Sequence, residues 1–258
     1  MMKRDTSSRI SLAGQRILIT RPQAQSEALG ALLVAADAEV VVLPLLEVHG
    51  LRTDELPINL KKIEQKQYDT LLFTSANAVR FFLTQASELG YDATFLKEQQ
   101  IYALGRQTQE QLNRLGCASY CDDRVRSSED FLRMLINAFA DALPGQHFFW
   151  PRALRVRDVL AQGLREQGAQ CSECVVYETL AIKTEEPLPE HLDWVVFSSP
   201  SAIDAFVNAF STLPKVHYAC IGEVSARRLQ EEGVSCHVIA KEPSNEGLVA
   251  AIIDYLCQ

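Results

Sequence analysis

The chain has 258 residues, 47% of them hydrophobic and 22% charged, with a formal net charge of −8 at pH 7. That length holds two domains of ordinary size, each with its own core. The acidic balance excludes nonspecific nucleic-acid binding, which needs a basic face, and no apolar run approaches the roughly 18 residues that cross a bilayer.

In chain order, residues 1–15 read as a loosely attached lead-in. Its first residues, Met1-Met2-Lys3-Arg4-Asp5-Thr6-Ser7-Ser8, lack an apolar signal segment, which predicts a cytoplasmic protein. Ile17-Leu18-Ile19-Thr20 is a short buried strand. Arg21-Pro22 opens a helix with apolar positions at Ala28, Leu29, Leu32 and Leu33, the proline standing where a first turn tolerates it. Glu39-Val40-Val41-Val42-Leu43 is the next strand and runs into Pro44-Leu45-Leu46-Glu47. A strand from Tyr68 to Phe73 ends in Thr74-Ser75 and is followed by a helix through Phe82. Ile101-Tyr102-Ala103-Leu104 then reaches a Gly105 turn, with Thr108 opening a helix that passes Leu112 and stops at Gly116. Ser127-Ser128-Glu129-Asp130-Phe131 reads as a capped helix start. Phe148-Phe149-Trp150-Pro151-Arg152 is a strand, and a helix carrying Val159, Leu160 and Leu164 leads through Gly168-Ala169-Gln170-Cys171 into Val175-Val176-Tyr177-Glu178.

From Leu192 onward these units recur. Trp194-Val195-Val196-Phe197-Ser198-Ser199 answers the strand ending at Ser75, Tyr218 to Ser225 answers Ile101 to Thr108, and Ser244-Asn245-Glu246 answers Ser127-Ser128-Glu129. Aligning Arg21 with Arg152 also places Leu33 on Leu164, Ala38 on Ala169 and Glu47 on Glu178. One copy is continuous, whereas the other has its Arg21 unit at the N-terminus and the remainder after Asp193. That order predicts an α/β protein of two similar three-layer domains with mostly parallel sheets, the second domain inserted in the first and the two joined by a two-stranded β-ladder. Domain 1 is expected at 1–46 and 178–258, domain 2 at 50–174, and the linker strands at 43–49 and 174–180.

In parallel sheets ligands sit at the carboxyl ends of the strands. The hydroxyls there, Thr74, Ser75, Thr108, Ser198, Ser199 and Ser225, stand at helix starts, where free N–H groups bind carboxylate or phosphate; each is equally a plain helix cap. Net negative charge does not exclude an anionic ligand, because a few cations and helix N-termini dominate a local field. Gly105 and Gly222 stand alone, without a dinucleotide fingerprint or a phosphate loop. Cys171 and Cys174 fall at an odd separation on one strand, which sends them to opposite faces as structural thiols, and seven cysteines without a framework of spacings read as reduced. The histidines, His217 among them, show no metal-ligand spacing. Tyr177 stands at the domain connection, where a phenol serves either as packing or as a proton donor that need not ionise.

The ordered set Ile19-Thr20-Arg21-Pro22, Phe73-Thr74-Ser75-Ala76-Asn77-Ala78-Val79, Gly105-Arg106-Gln107-Thr108, Val176-Tyr177-Glu178-Thr179, Phe197-Ser198-Ser199-Pro200-Ser201-Ala202 and Ile221-Gly222-Glu223-Val224-Ser225-Ala226 resembles the uroporphyrinogen-III synthase family. The resemblance implies a lyase that closes the linear tetrapyrrole hydroxymethylbilane with loss of water and inversion of its last ring, using neither cofactor nor metal. It implies a substrate held in an interdomain cleft by backbone N–H groups and hydroxyls, with Thr74, Ser75, Thr108, Ser199 and Ser225 near it and Tyr177 assisting departure of the hydroxyl. Arg21, Arg106 and Arg152 are candidate partners for the substrate carboxylates. Val224 and His217 depart from relatives that carry a hydroxyl and a lysine there, which puts that edge of the site in question. Two cores and one cleft need no partner, so a monomer is expected, with transient contact to the preceding pathway enzyme. The competing readings are a noncatalytic cleft protein for a small polyanion and a nucleotide-sugar transferase, the latter disfavoured because no acidic metal pair stands near a strand end.

Overall fold

The computed structural model describes residues 11–184, 186–210 and 212–257. The chain forms β1 (Arg16–Ile19), α1 (Gln23–Ala35) and β2 (Glu39–Val42), then β3 (Leu46–Gly50). It continues through α2 (Glu55–Glu64), β4 (Thr70–Phe73), α3 (Ala76–Glu88), β5 (Ile101–Ala103), α4 (Arg106–Arg114), α5 (Ser128–Phe139), β6 (His147–Ala153), α6 (Val159–Glu166) and β7 (Gln170–Ala181). The last stretch holds β8 (Trp194–Phe197), α7 (Pro200–Ala209), β9 (His217–Cys220), α8 (Glu223–Glu231), β10 (Val238–Ile239) and α9 (Asn245–Leu256). Two compact units result: the chain up to Glu47 together with the chain from Leu180 onward, and Val48–Thr179.

The first unit has the sheet order β10-β9-β8-β1-β2, and the second β3-β7-β6-β4-β5. Placing β1 on β6 and β2 on β7 puts β8 on β4 and β9 on β5. It also puts β10 on Tyr120, which makes a parallel bridge to Tyr102. The two orders then coincide apart from the edge strand β3, and the point at which the chain enters the order differs. That is the repeat shift read in the sequence, now present as topology.

Each sheet lies between two helical layers. In the second unit, α2, α3 and α4 pack with Leu71, Phe73 and Phe149 on one face, while α5 and α6 pack with Leu72, Phe148 and Trp150 on the other. In the first, α1 and α9 cover Ile17, Ile19 and Trp194, and α7 and α8 cover Leu18, Val195 and Phe197. Every residue of β4 and β8 is buried, which is why Leu71 to Phe73 and all of β8 are continuous apolar runs rather than alternating ones. Cys171 and Cys174 belong to opposite faces of β7 and all seven cysteines are free thiols.

Of the expected lead-in, residues 1–10 lie outside the described residues. The remainder is not loose: Leu12 is fully buried and its N–H donates to the Ala36 carbonyl at 2.6 Å. Pro22 stands at the cap position of α1, one residue before the first turn where it was expected.

Both unit boundaries fall where β3 and β7 are neighbours. The Leu51 N–H donates to Val176 O at 3.0 Å and the Ile182 N–H to Leu45 O at 2.9 Å, so the two strands run in opposite directions. The β6–β7 ladder slips by one residue, with Arg152 opposite Val175 but Ala153 opposite Tyr177. The equivalent place in the first unit slips too. There the Leu43 N–H donates to Ile19 O and the Leu45 N–H to Thr20 O, two residues advancing against one. Such bulges redirect side chains.

Candidate active site

In each sheet the helices that follow the two central strands go to opposite faces. After β4 the chain forms α3 on one face, and after β6 it forms α6 on the other. After β8 and β1 come α7 and α1, again on opposite faces. A crevice opens at the carboxyl ends of such a pair, the usual ligand position in open α/β sheets. The Thr74-Ser75 and Trp150 to Arg152 segments stand there in one unit, and Ser198-Ser199 and Thr20-Arg21 in the other.

Tyr177 meets Ser75 at this end. Without the bulge, strand alternation would send Tyr177 to the face of Cys171. The slip turns it to the face of Cys174 and Val176, where it is 8% exposed. Its hydroxyl lies 2.9 Å from Ser75 Oγ, and its ring stacks on Phe81 at 5.7 Å and 16°. Ser75 caps α3 by accepting from the Ala78 N–H at 3.0 Å. With one lone pair so used, the Ser75 O–H is free to donate to the phenol oxygen, which leaves the Tyr177 proton for another acceptor. Burial raises the phenol pKa, offset in part by the Ser75 hydrogen bond, so Tyr177 stays protonated at neutral pH. It is therefore a donor and not a base.

The other expected hydroxyls divide into three kinds. Thr74 accepts from Trp150 Nε1 at 3.0 Å, across the β4–β6 crevice. Ser199 is a cap, accepting from the Ala202 N–H at 3.2 Å, with Ser201 Oγ 3.0 Å away; Ser198 precedes it, half-buried. Thr108 and Ser225 are third residues of α4 and α8, behind Gly105 and Gly222 at the caps, and each is 3% exposed. They do not open their helices as expected, because in each copy the glycine takes the cap position. Ser127 and Ser244 do cap, accepting from Asp130 N–H at 3.1 Å and Gly247 N–H at 2.9 Å.

The three arginines have different environments. Arg106 is exposed and pairs with Glu110 one turn on, at 3.1 Å. Arg152 is held by Glu173 at 2.7 Å, with Arg165 on the other oxygen of that carboxylate at 2.6 Å, and it also donates to the Ala153 and Leu154 carbonyls. Two guanidiniums share that one carboxylate, so the cluster stays net positive, but the Arg152 N–H groups are already taken up by Glu173 and the two carbonyls. Arg21 donates from Nη1 to Asn245 Oδ1 at 2.9 Å, and no carboxylate among the described residues pairs with it.

His217 is the first residue of β9 and therefore lies at the opposite end of its sheet from the strand-end hydroxyls. It stacks on Trp194 at 4.8 Å and meets His237 and Tyr255 edge-on, so it is a packing residue rather than an edge of the site. Val224 is 67% exposed in the first turn of α8. Trp150, Phe81 and Asn245 were not singled out from the sequence. Only the aromatic character of the first two and the helix-start position of the third marked them.

The family model described as "Uroporphyrinogen-III synthase HemD" matches residues 27–250. A "Porphyrin biosynthesis protein HemD" of Ruminiclostridium josui is 22% identical over 94% of this chain and 49% of its own, so this chain spans about half the length of that relative. A "Uroporphyrinogen-III synthase" of Synechococcus elongatus is 27% identical over 93% of this chain and 95% of its own. Among solved structures, the uroporphyrinogen-III synthetase of Helicobacter pylori superimposes with a TM-score of 0.63 at 23% identity, covering 93% of this chain and 99% of its own, which shows a shared fold. With a family model matched across most of its length, this chain belongs to the uroporphyrinogen-III synthase family, cyclising lyases of porphyrin biosynthesis.

Proposed function

We propose that this chain closes hydroxymethylbilane to uroporphyrinogen III, with loss of water and inversion of ring D through a spiro intermediate. The observation that carries this reading is the Tyr177 phenol, kept protonated by burial and 2.9 Å from the Ser75 hydroxyl at the carboxyl end of the β4–β6 crevice. The phenol donates to the leaving hydroxyl and Ser75 supports the oxygen as that proton shifts. Pyrrole nitrogen supplies the electron push, giving an azafulvene-like cation. The substituted carbon of the last ring attacks it to form the spiro centre, which fragments and recloses in the inverted sense. The protein's main task is then to hold the two ends of a long substrate in one reacting geometry.

The substrate is a polycarboxylate. In our reading the helix-start N–H groups, with Thr74, Ser75, Thr108, Ser198, Ser199 and Ser225, hold its carboxylates, and Arg21 supplies a cation. Arg106 stays in the set as an exposed surface cation, whereas Arg152 leaves it because Glu173 and the Ala153 and Leu154 carbonyls already hold its N–H groups. We place the chain in the cytoplasm as a monomer that meets the preceding pathway enzyme transiently. No helix among the described residues is long and apolar enough to cross a membrane.

The deciding experiment supplies hydroxymethylbilane and resolves the cyclic isomers. Accumulation of the type III ring above the uncatalysed rate supports the reading. Only the uninverted type I ring, at the uncatalysed rate, would falsify it in favour of a noncatalytic anion-binding protein.

A further inference from the structure

The duplicated arginine has been put to two uses. In the second unit β6 pairs with β7 so that Trp150 faces Glu173, and that glutamate reaches the neighbouring Arg152 at 2.7 Å. In the first unit the equivalent pair is Ile19 with Val42, so the position that holds the Glu173 carboxylate in the second unit holds a valine in the first. Its fixed partner is instead the Asn245 side chain, 8% exposed, whose Oδ1 accepts from Arg21 Nη1 at 2.9 Å. An amide orients a guanidinium without cancelling its charge.

Among the described residues no ion pair answers that charge. Arg21 Nε is buried with no hydrogen-bond partner, and so is the hydroxyl of the adjacent Thr20, itself completely buried. Helix α1 starts at Pro22 without a side-chain cap, and Asn245 is the first residue of α9. The two helices share one core, where Leu29 and Leu33 meet Leu248 and Ile252. Their N-terminal ends, each carrying partial positive charge, therefore stand near the same cation. Glu246 in the first turn of α9 is exposed and makes no ion pair with Arg21 among the described residues. Burial alone lowers the Arg21 pKa, as expected of a cation lacking a counterion. A half-buried charge beside two positive helix ends is costly until an anion joins it.

We propose that Asn245 is a positioning residue that holds the Arg21 guanidinium, with its charge intact, for one carboxylate of the substrate. Arg21, the Thr20 hydroxyl and the start of α1 form the remaining walls of this subsite. The inference deepens the synthase reading above and rests on it.

Replacing Asn245→Asp tests it, because the change is isosteric, is favoured at a helix start, and converts the neutral partner of Arg21 into a charged one. The variant is expected to fold, to keep kcat, and to raise the KM for hydroxymethylbilane on the order of tenfold. Arg21→Gln, which removes the charge without adding one, should raise KM in the same way, whereas Arg152→Gln should leave it in place. A second readout avoids turnover: the polycarboxylate mellitate should raise the melting temperature of the parent chain and of Arg152→Gln, and fail to raise it in Asn245→Asp and Arg21→Gln. Parent-like KM and parent-like mellitate stabilisation in Asn245→Asp would overturn the proposal, as would a parent chain that mellitate does not stabilise. If the parent chain leaves hydroxymethylbilane to close unaided, the synthase reading falls, while the mellitate experiment still decides whether Asn245 presents a charged Arg21.

Discussion

The Tyr177 and Ser75 hydroxyls meet at 2.9 Å although their strand and helix are about a hundred residues apart in the chain, and a one-residue slip between β6 and β7 is what turns the phenol toward the serine. Ser75 has a second task at the same atom, accepting the Ala78 N–H at the start of α3. Local helix capping and support of the proposed proton donor therefore share one oxygen.

Removing the phenol alone separates them. Tyr177→Phe keeps the ring that stacks on Phe81 and is expected to lower kcat on the order of 100-fold with the melting temperature little changed. Ser75→Ala removes the cap as well and should cost about 1 kcal/mol of stability in addition to a fall in kcat. If the two hydroxyls act as one unit, the double variant loses no more turnover than Tyr177→Phe. Turnover of Tyr177→Phe at the parent rate, measured from the type III isomer, would remove the phenol from the reaction.

The two glycine turns look alike in sequence but differ in what they require. Gly105 has φ +81° and ψ 147°, a region that side chains rarely enter, while Gly222 has φ −176°, extended backbone open to any residue. An added Cβ meets nothing within 4 Å at Gly105, and only Pro243 Cβ at 4.0 Å at Gly222. Strain and not crowding is the difference. Gly105→Ala should destabilise by about 1–3 kcal/mol, and Gly222→Ala should stay within about 0.5 kcal/mol of the parent. Equal denaturant midpoints for the two variants would contradict this.

Those glycines show where legibility in the sequence ends. The alternation of apolar strands with helices is visible because β4 and β8 are buried on both faces and run straight into hydroxyl residues. The repeat shift is visible for the same reason, and it predicts the matching sheet orders. The bulge before Tyr177 is not visible. Val175-Val176-Tyr177 reads as continuous strand whether or not the register slips, and counting by alternation places the phenol on the wrong face. Arg21 and Arg152 are indistinguishable by motif, since the carboxylate that separates them, Glu173, arrives through parallel pairing with a strand one helix later. Thr108 and Ser225 look like helix openers in the sequence because nothing there says that the glycine itself takes the cap.

Buried acids predict an alkaline loss of stability. Burial pushes the Cys171 thiol up to about 12 from a usual value of 9.0, and the Tyr218 phenol up to about 12 from 10.0; Cys174 and Tyr177 move in the same direction, mainly for the same cause. Each is neutral in both folded and unfolded chains at low pH. As pH rises past the ordinary thiol and phenol values, the unfolded chain loses these protons first, so it binds fewer protons than the folded chain and is favoured. Stability should be complete below about pH 8.5 and fall steadily toward about pH 12. Denaturant titrations at stepped pH read this directly, and Cys171→Ala should flatten the fall. A midpoint that rises or holds constant across that window would contradict the burial argument.

The strand-end hydroxyls offer the sharpest separation of support from binding, because Ser75 and Ser199 are caps and the other four are not. Ser199→Ala forfeits the bond from the Ala202 N–H and should cost about 1 kcal/mol at the start of α7, whatever it does to turnover. Thr108→Val preserves shape inside the first turn of α4, where the hydroxyl caps nothing, so its stability cost should be smaller. Ser225→Ala is the matching change in α8. If Thr108 and Ser225 hold substrate, both variants raise the KM for hydroxymethylbilane while their melting temperatures stay within a few degrees of the parent. A loss of stability without a change in KM would instead make these buried hydroxyls part of the packing, and would leave the backbone N–H groups at the two helix starts as the anion-binding elements of those turns.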